Sequence, residues 1–141
     1  MMQIESLIEN FEMLGPWDER YRYIIDLGRK LPPLADEQHN ETNKVRGCMS
    51  QVWLVAEHDP GPPARLKLRG DSDAFIVKGL IALLFKIVED RTPAEIVELD
   101  IGDVFTRLGL ENQITANRRN GFYAMVERIK ALAAQHADQQ G

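Results

Sequence analysis

Cysteine is almost missing from this 141-residue chain: there is one, Cys48, and only three histidines, His39, His58 and His136, accompany it. A lone thiol closes no internal disulfide, and without a CxxC pair it runs no dithiol redox cycle within one chain. A cysteine-based zinc or iron–sulfur site needs about four thiolate or imidazole donors. No metal site within the chain is therefore expected. Positive charge is also short, with 17 Lys and Arg against 22 Asp and Glu and a formal net charge of −5, which disfavours general binding to a phosphate backbone. There is no Gly-rich loop of the GxGxxG or Walker type to hold a nucleotide. The longest strongly apolar run, Gly79–Phe85, lies between Lys78 and Lys86 and is far too short to span a bilayer. Met1–Phe11 carries Glu5 and Glu9 but no Lys or Arg, the opposite of the basic start of a signal peptide. The expectation is a cytoplasmic protein whose thiol stays reduced, with neither nucleic acid nor membrane among its partners.

What is present is an ordinary globular composition, 44% hydrophobic and 28% charged. A chain of this length buries about two thirds of its unfolded surface without metal or disulfide. We expect one domain over 1–141, with its core at about 4–134 and a polar tail at 135–141. Ile4, Leu7, Ile8, Phe11 and Leu14 repeat at helical spacing up to Gly15-Pro16. A second helix places Trp17, Tyr21, Ile24, Ile25 and Leu27 near one face, with Asp18 as a candidate cap and Gly28 as a candidate stop. Residues from Arg29 to Asn43, through Pro32-Pro33 and a polar run, read as an exposed connection. Val52–Ala56 and Arg65–Arg69 alternate as two antiparallel strands, and Pro60-Gly61 between them suits a type II turn. Val45 is a candidate start for a third, short strand. From Ala74 to Val88 nearly every position is apolar except a stripe at Lys78, Ala82, Lys86 and Glu89, the pattern of a central core helix. Thr92-Pro93-Ala94-Glu95 is a capping box with Pro at the first helical position. A short helix follows with Val104, Phe105 and Leu108, and a last one runs from after Thr115 through Phe122, Met125, Val126, Ile129 and Leu132. Helices, a small antiparallel sheet of about three strands, then helices again make an α+β order.

The chemistry centres on Val45-Arg46-Gly47-Cys48-Met49-Ser50, where a Gly able to adopt backbone angles closed to other residues precedes the thiol. Two readings stay open. A lone cysteine is commonly a small buried hydrophobe; a loop thiol with Lys44 and Arg46 nearby can instead be a reactive one, since cationic neighbours lower a thiol's pKa. Arg118-Arg119 falls in the first turn of the last helix, where positive charge opposes the helix dipole at a cost of about 0.3–1 kcal/mol each. That pair is either a solvated surface feature or a second cationic site near the thiol. His39 and His58 fall in polar loops and His136 in the tail, so no imidazole is expected beside Cys48 to make a Cys–His hydrolase. Asp71, Ser72 and Asp73 are candidate caps of the core helix rather than a catalytic pair.

Three blocks, Val45–Trp53, Arg69–Leu80 and Thr115–Gly121, together with Tyr23–Gly28, resemble the SufE family of sulfur acceptors, in the family's order and spacing, from about Phe11 to Ala133. The resemblance implies a fold similar to iron–sulfur scaffold (IscU-like) proteins, although the missing ligands argue against cluster assembly here. It implies that Cys48 accepts persulfide sulfur from a pyridoxal-phosphate (PLP) cysteine desulfurase of SufS-like or CsdA-like type, stimulates that enzyme, and delivers sulfur to a SufBCD-like scaffold. The chain itself would then bind no cofactor and act as a transpersulfidation partner rather than a stand-alone enzyme. Arg118 matches the Arg of the family's T-x-x-R-x-x-G block, and Arg119 matches nothing in it. Ala116 and Asn117 replace the common Pro or Ser there, a difference that touches the helix cap more than the charge. Val45, Met49, Val52 and Trp53 are expected to shelter the persulfide, and Gly47–Ser50 to move on docking. Asp71, Ser72 and Asp73 would support the loop. The competing readings are an adaptor of the desulfurase with a structural Cys48, and a one-Cys peroxidase or thiol hydrolase.

Overall fold

The computed structural model describes the backbone of residues 2–48, 50–59, 61, 65–89 and 91–140, and their side chains except at 2, 3, 58 and 138–140. The first helix, α1 (Met2–Leu14), ends at Gly15, which takes a φ of 76° before Pro16 opens α2 (Trp17–Arg29). Ile4, Leu7, Ile8 and Phe11 of α1 are all buried, as their spacing requires. The connection from α2 to the sheet contains one 3-10 turn, Asp36–Gln38. Strands β1 (Val52–Asp59) and β2 (Arg65–Ser72) pair antiparallel, from Val52 opposite Ser72 to Asp59 opposite Arg65. Gly61 has a φ of 73°, which the third residue of a type II turn needs; Pro60 and Pro62–Ala64 lie outside the described residues. The core helix α3 (Phe75–Val88), the short α4 (Pro93–Glu98) and α5 (Ile101–Arg107), and the long α6 (Ala116–Gln140) complete the chain. Among the described residues no helix is long and apolar enough to cross a membrane.

This is the α+β architecture expected, with four differences. The third strand is reduced to a single bridge, Lys44 with Trp53, so the sheet has two strands. Gly28 does not stop α2; it lies inside the helix and buried, because α2 and α3 cross there almost backbone to backbone. A Cβ on Gly28 would stand 2.6 Å from the Gly79 nitrogen, and no side chain fits that gap. Residues 135–140, expected as a tail, continue α6, since Gln, His and Asp contain no helix breaker and extending a formed helix needs no new nucleus. Ala82, placed in the polar stripe of α3, is buried.

The core gathers on α3, whose Leu80, Ile81, Leu83, Leu84 and Ile87 are all at most 1% exposed, each worth about 1.5–3 kcal/mol of burial. Phe105 of α5 stacks on Phe122 of α6 with ring centroids 4.3 Å apart. The Thr92–Glu95 capping box forms in both directions, Glu95 N–H to Thr92 Oγ1 and Thr92 N–H to Glu95 Oε1. α6 also packs against α3, and the cleft between them opens toward the loop that precedes β1.

Candidate functional site

The loop carrying Cys48 leaves the sheet through Val45, whose N–H donates to Val52 O at 2.8 Å, while Leu54 N–H donates to Asn43 O at 2.9 Å. Gly47 then adopts a φ of 91°, a left-handed angle that favours glycine. This turn aims Cys48 at α6. The half-buried thiol donates to the carbonyl of Gly121 at 3.5 Å, and burial pushes its pKa up from the ordinary thiol value. Of the two readings open in the sequence, this setting matches the buried thiol rather than one activated by Lys44 and Arg46. Arg46 is exposed and paired with Glu41 at 3.1 Å, away from the sulfur's hydrogen bond, and the apolar setting favours the neutral thiol.

A cavity of about 260 Å³ opens beside the sulfur. Val77 and Leu80 of α3 and Phe122 and Met125 of α6 give it apolar walls, while Ser50, Thr115, Asn117 and Arg118 make its polar side. The dibasic pair divides its labour. Arg119 turns back and donates to the carbonyls of Glu111 at 2.8 Å and Ile114 at 3.4 Å, closing the loop before α6. Arg118 lines the cavity with Cys48, and its backbone N–H reaches Thr115 Oγ1 at 3.3 Å. Thr115 thus caps α6 although Ala116 and Asn117 carry no cap.

The shelter differs from expectation. Val45 and Val52 are core residues, 3% and 0% exposed, and neither they nor Trp53 lines the cavity; the walls come from α3 and α6. Trp53 instead packs edge-on against His39, with ring centroids 4.7 Å apart. Met49 lies outside the described residues.

None of Asp71, Ser72 and Asp73 is the N-cap residue of α3; that residue is Ala74, whose own side chain makes no cap bond. Asp73 Oδ1 accepts from Gln51 N–H at 3.0 Å, and its own N–H donates to Gln51 O at 3.3 Å, pinning the chain three residues past Cys48. Ser72 Oγ accepts from Ala74 N–H at 3.2 Å. Asp71 Oδ1 accepts from Ser72 N–H at 2.8 Å and lies 3.6 Å from Lys78 Nζ, while Oδ2 meets His39 Nε2 at 2.8 Å. His39, expected in solvent, is thus a tertiary contact, and the hydrogen bond to Asp71 raises its pKa. Burial pulls the Asp71 carboxyl up, but the bonds from His39 and Ser72 and the charge of Lys78 outweigh it and leave the pKa lowered. His58 lies in β1 rather than a loop, its side chain outside the described residues. His136 sits on α6, where Nδ1 bonds the Leu132 carbonyl at 2.9 Å.

The arrangement can store one thiol, protonated, against an apolar wall in a cavity that Arg118 also lines. Among the described residues no group of three or more His, Cys, Asp or Glu side chains can hold a metal ion, and no His lines the cavity. Sequence reasoning missed Ser50, Val77, Leu80, Phe122 and Met125 as lining residues; helical periodicity marks the last four only as core.

A family model described as SufE, the Fe-S metabolism associated domain, matches residues 5–133. An uncharacterised SufE-like protein of Rhizobium etli is 42% identical over 135 residues, covering 94% of this chain and 90% of that one. The solution structure of a hypothetical protein from Thermus thermophilus superposes with a TM-score of 0.77 at 23% identity and covers 94% of each chain, so the two share a fold. The matched family region spans the Cys48 loop, both strands and the start of α6.

Proposed function

The chain belongs to the SufE family, associated with Fe-S metabolism, and from that premise we propose that it is a cytoplasmic sulfur acceptor and carrier. Cys48, as thiolate, attacks the terminal sulfur of a persulfide on a cysteine desulfurase of SufS-like or CsdA-like type. A new S–S bond forms on Cys48 as the donor's S–S bond breaks, and the donor cysteine leaves as thiolate, so the exchange needs no outside oxidant. Removing the persulfide frees the desulfurase for another turnover, and a SufBCD-like scaffold receives the sulfur in a second exchange of the same kind. The PLP belongs to the desulfurase, and this chain binds no cofactor.

The observation that carries the reading is that the sole thiol and Arg118 line one partly apolar cavity. A thiol raised by burial is quiet at rest; swinging out about Gly47 restores its ordinary acidity at the partner's site. Returned to the cavity, the persulfide is screened from water and oxidants, and Arg118 favours its anionic form. Intact mass after incubation with a desulfurase and cysteine, without reductant, tests this. The expected result is a gain of one sulfur, absent in Cys48→Ser.

One observation favours a second reading, the adaptor with a structural cysteine: the resting thiol is half-buried and hydrogen-bonded to Gly121. A protein that binds the desulfurase, gains no sulfur, and stimulates it equally well as Cys48→Ser would establish the adaptor and overturn the carrier.

A further inference from the structure

We propose that Arg128 is the positioning residue of the Cys48 loop: its guanidinium stands in for a missing outer strand along Thr42–Lys44 and so seats the thiol in its cavity. The proposal rests on the carrier reading only for what that seating serves.

The segment before Cys48 is an edge. Asn43 O and Val45 N–H face β1, so the carbonyls of Thr42 and Lys44, each one residue out of step, face the other way. A row of unpaired backbone groups of this kind is normally covered or paired with another strand. Here α6 covers it. Arg128 Nη1 donates to Lys44 O at 3.2 Å and Nη2 to Thr42 O. A planar fork with two parallel donors fits two outward carbonyls on one segment, and an ammonium does not.

Arg128 also completes a stripe. Gly121, Ala124 and Arg128 are spaced three and four apart and share one face of α6. Gly121 O receives the thiol at 3.5 Å. A Cβ on Gly47 would stand 3.4 Å from the Ala124 Cβ, so the turn rests on that residue. The loop therefore lies along about two turns of helix. Of its holds, a thiol bond and a van der Waals contact are weak, whereas hydrogen bonds from a charged donor are stronger. The thiol end releases first, with Gly47 as its hinge, while Arg128 keeps the base of the loop on α6.

The test is the rate of Cys48 alkylation by iodoacetamide as a function of pH, on Arg128→Ala, Arg128→Lys and the unaltered protein, with thermal melts to confirm folding. Among the described residues lining the cavity Arg118 is the charged one, and it is untouched in all three. Arg128→Ala is expected to react about tenfold faster, the scale of losing charged hydrogen bonds, with its midpoint moved down toward the ordinary thiol value. Arg128→Lys, which reaches one carbonyl, should fall between. A purely structural residue would lower the melting temperature without moving that midpoint. Folded Arg128→Ala with the unaltered rate and midpoint overturns the proposal; if that variant does not fold, an unchanged Arg128→Lys does so. Iodoacetamide needs no partner, so sulfur loading of the unaltered protein, run alongside, reports on the carrier reading by itself.

Discussion

The thiol of Cys48 points at the carbonyl of Gly121, 3.5 Å away and 73 positions along the chain, and Gly121 presents no side chain to the sulfur. A Cβ there would lie 3.5 Å from Sγ, ordinary contact for a bare thiol but a filled wall for a thiol that must gain an atom. Gly121→Ala therefore separates stability from loading. Alanine in a helix interior gains about 0.5–1 kcal/mol over glycine, so the denaturation midpoint should rise or hold. Sulfur uptake followed by intact mass should slow about tenfold, the scale of mild overpacking. Equal loading rates would show that the added sulfur does not occupy this side of the cavity.

Arg118 and Arg119 should behave as opposites. Arg119→Ala leaves the carbonyls of Glu111 and Ile114 without their donor and should lower stability by about 0.5–1.5 kcal/mol with sulfur uptake intact. Arg118→Ala should leave a urea melt unchanged and weaken uptake or retention of the persulfide, since Arg118 is the charged residue among the described ones that line the thiol's cavity. Reversed results would mean that the cavity's charge is irrelevant to its chemistry.

What was legible in the sequence, and what was not, follows from distance along the chain. Ile4, Leu7, Ile8 and Phe11 repeat within one helix, so their burial could be read locally; so could the Thr92–Glu95 capping box and the Gly47 turn. Gly28 looks like a helix end because its actual reason, contact with Gly79, lies in another helix. Val45 alternates into a strand pattern, yet the outer edge of its segment is closed by a side chain of α6. The shelter was sought beside Cys48, whereas the cavity walls come from Val77, Leu80, Phe122 and Met125. A capping preference in Asp73 is real chemistry for an acceptor oxygen, but the N–H it satisfies belongs to Gln51.

That last bond gives a third prediction. Asp73→Ala frees the backbone just past the loop and should cost about 1 kcal/mol of stability, with faster alkylation of Cys48. Asp73→Asn retains an acceptor oxygen for Gln51 N–H and should stay close to the unaltered protein in both measurements. If Asn and Ala behave alike, the carboxylate charge rather than the hydrogen bond restrains the turn.

His39 and Asp71 make stability depend on pH in a direction fixed by their shifts. The folded pKa of His39 is raised above 6.5, so its contribution is fully present below that value and is lost as pH rises through the folded pKa. The folded pKa of Asp71 is lowered below 3.8; its contribution is present above that value and is lost as pH falls through the folded pKa. The ion pair therefore stabilises most between the two, in mildly acid solution, and weakens toward alkaline pH. Comparing urea midpoints of the unaltered protein and His39→Gln at about pH 6 and about pH 9 isolates the charge, since Gln retains an amide donor for Asp71. The gap between them should be wide at the lower pH and narrow at the higher. A gap that does not change with pH would place the value of His39 in its packing against Trp53 rather than in its charge.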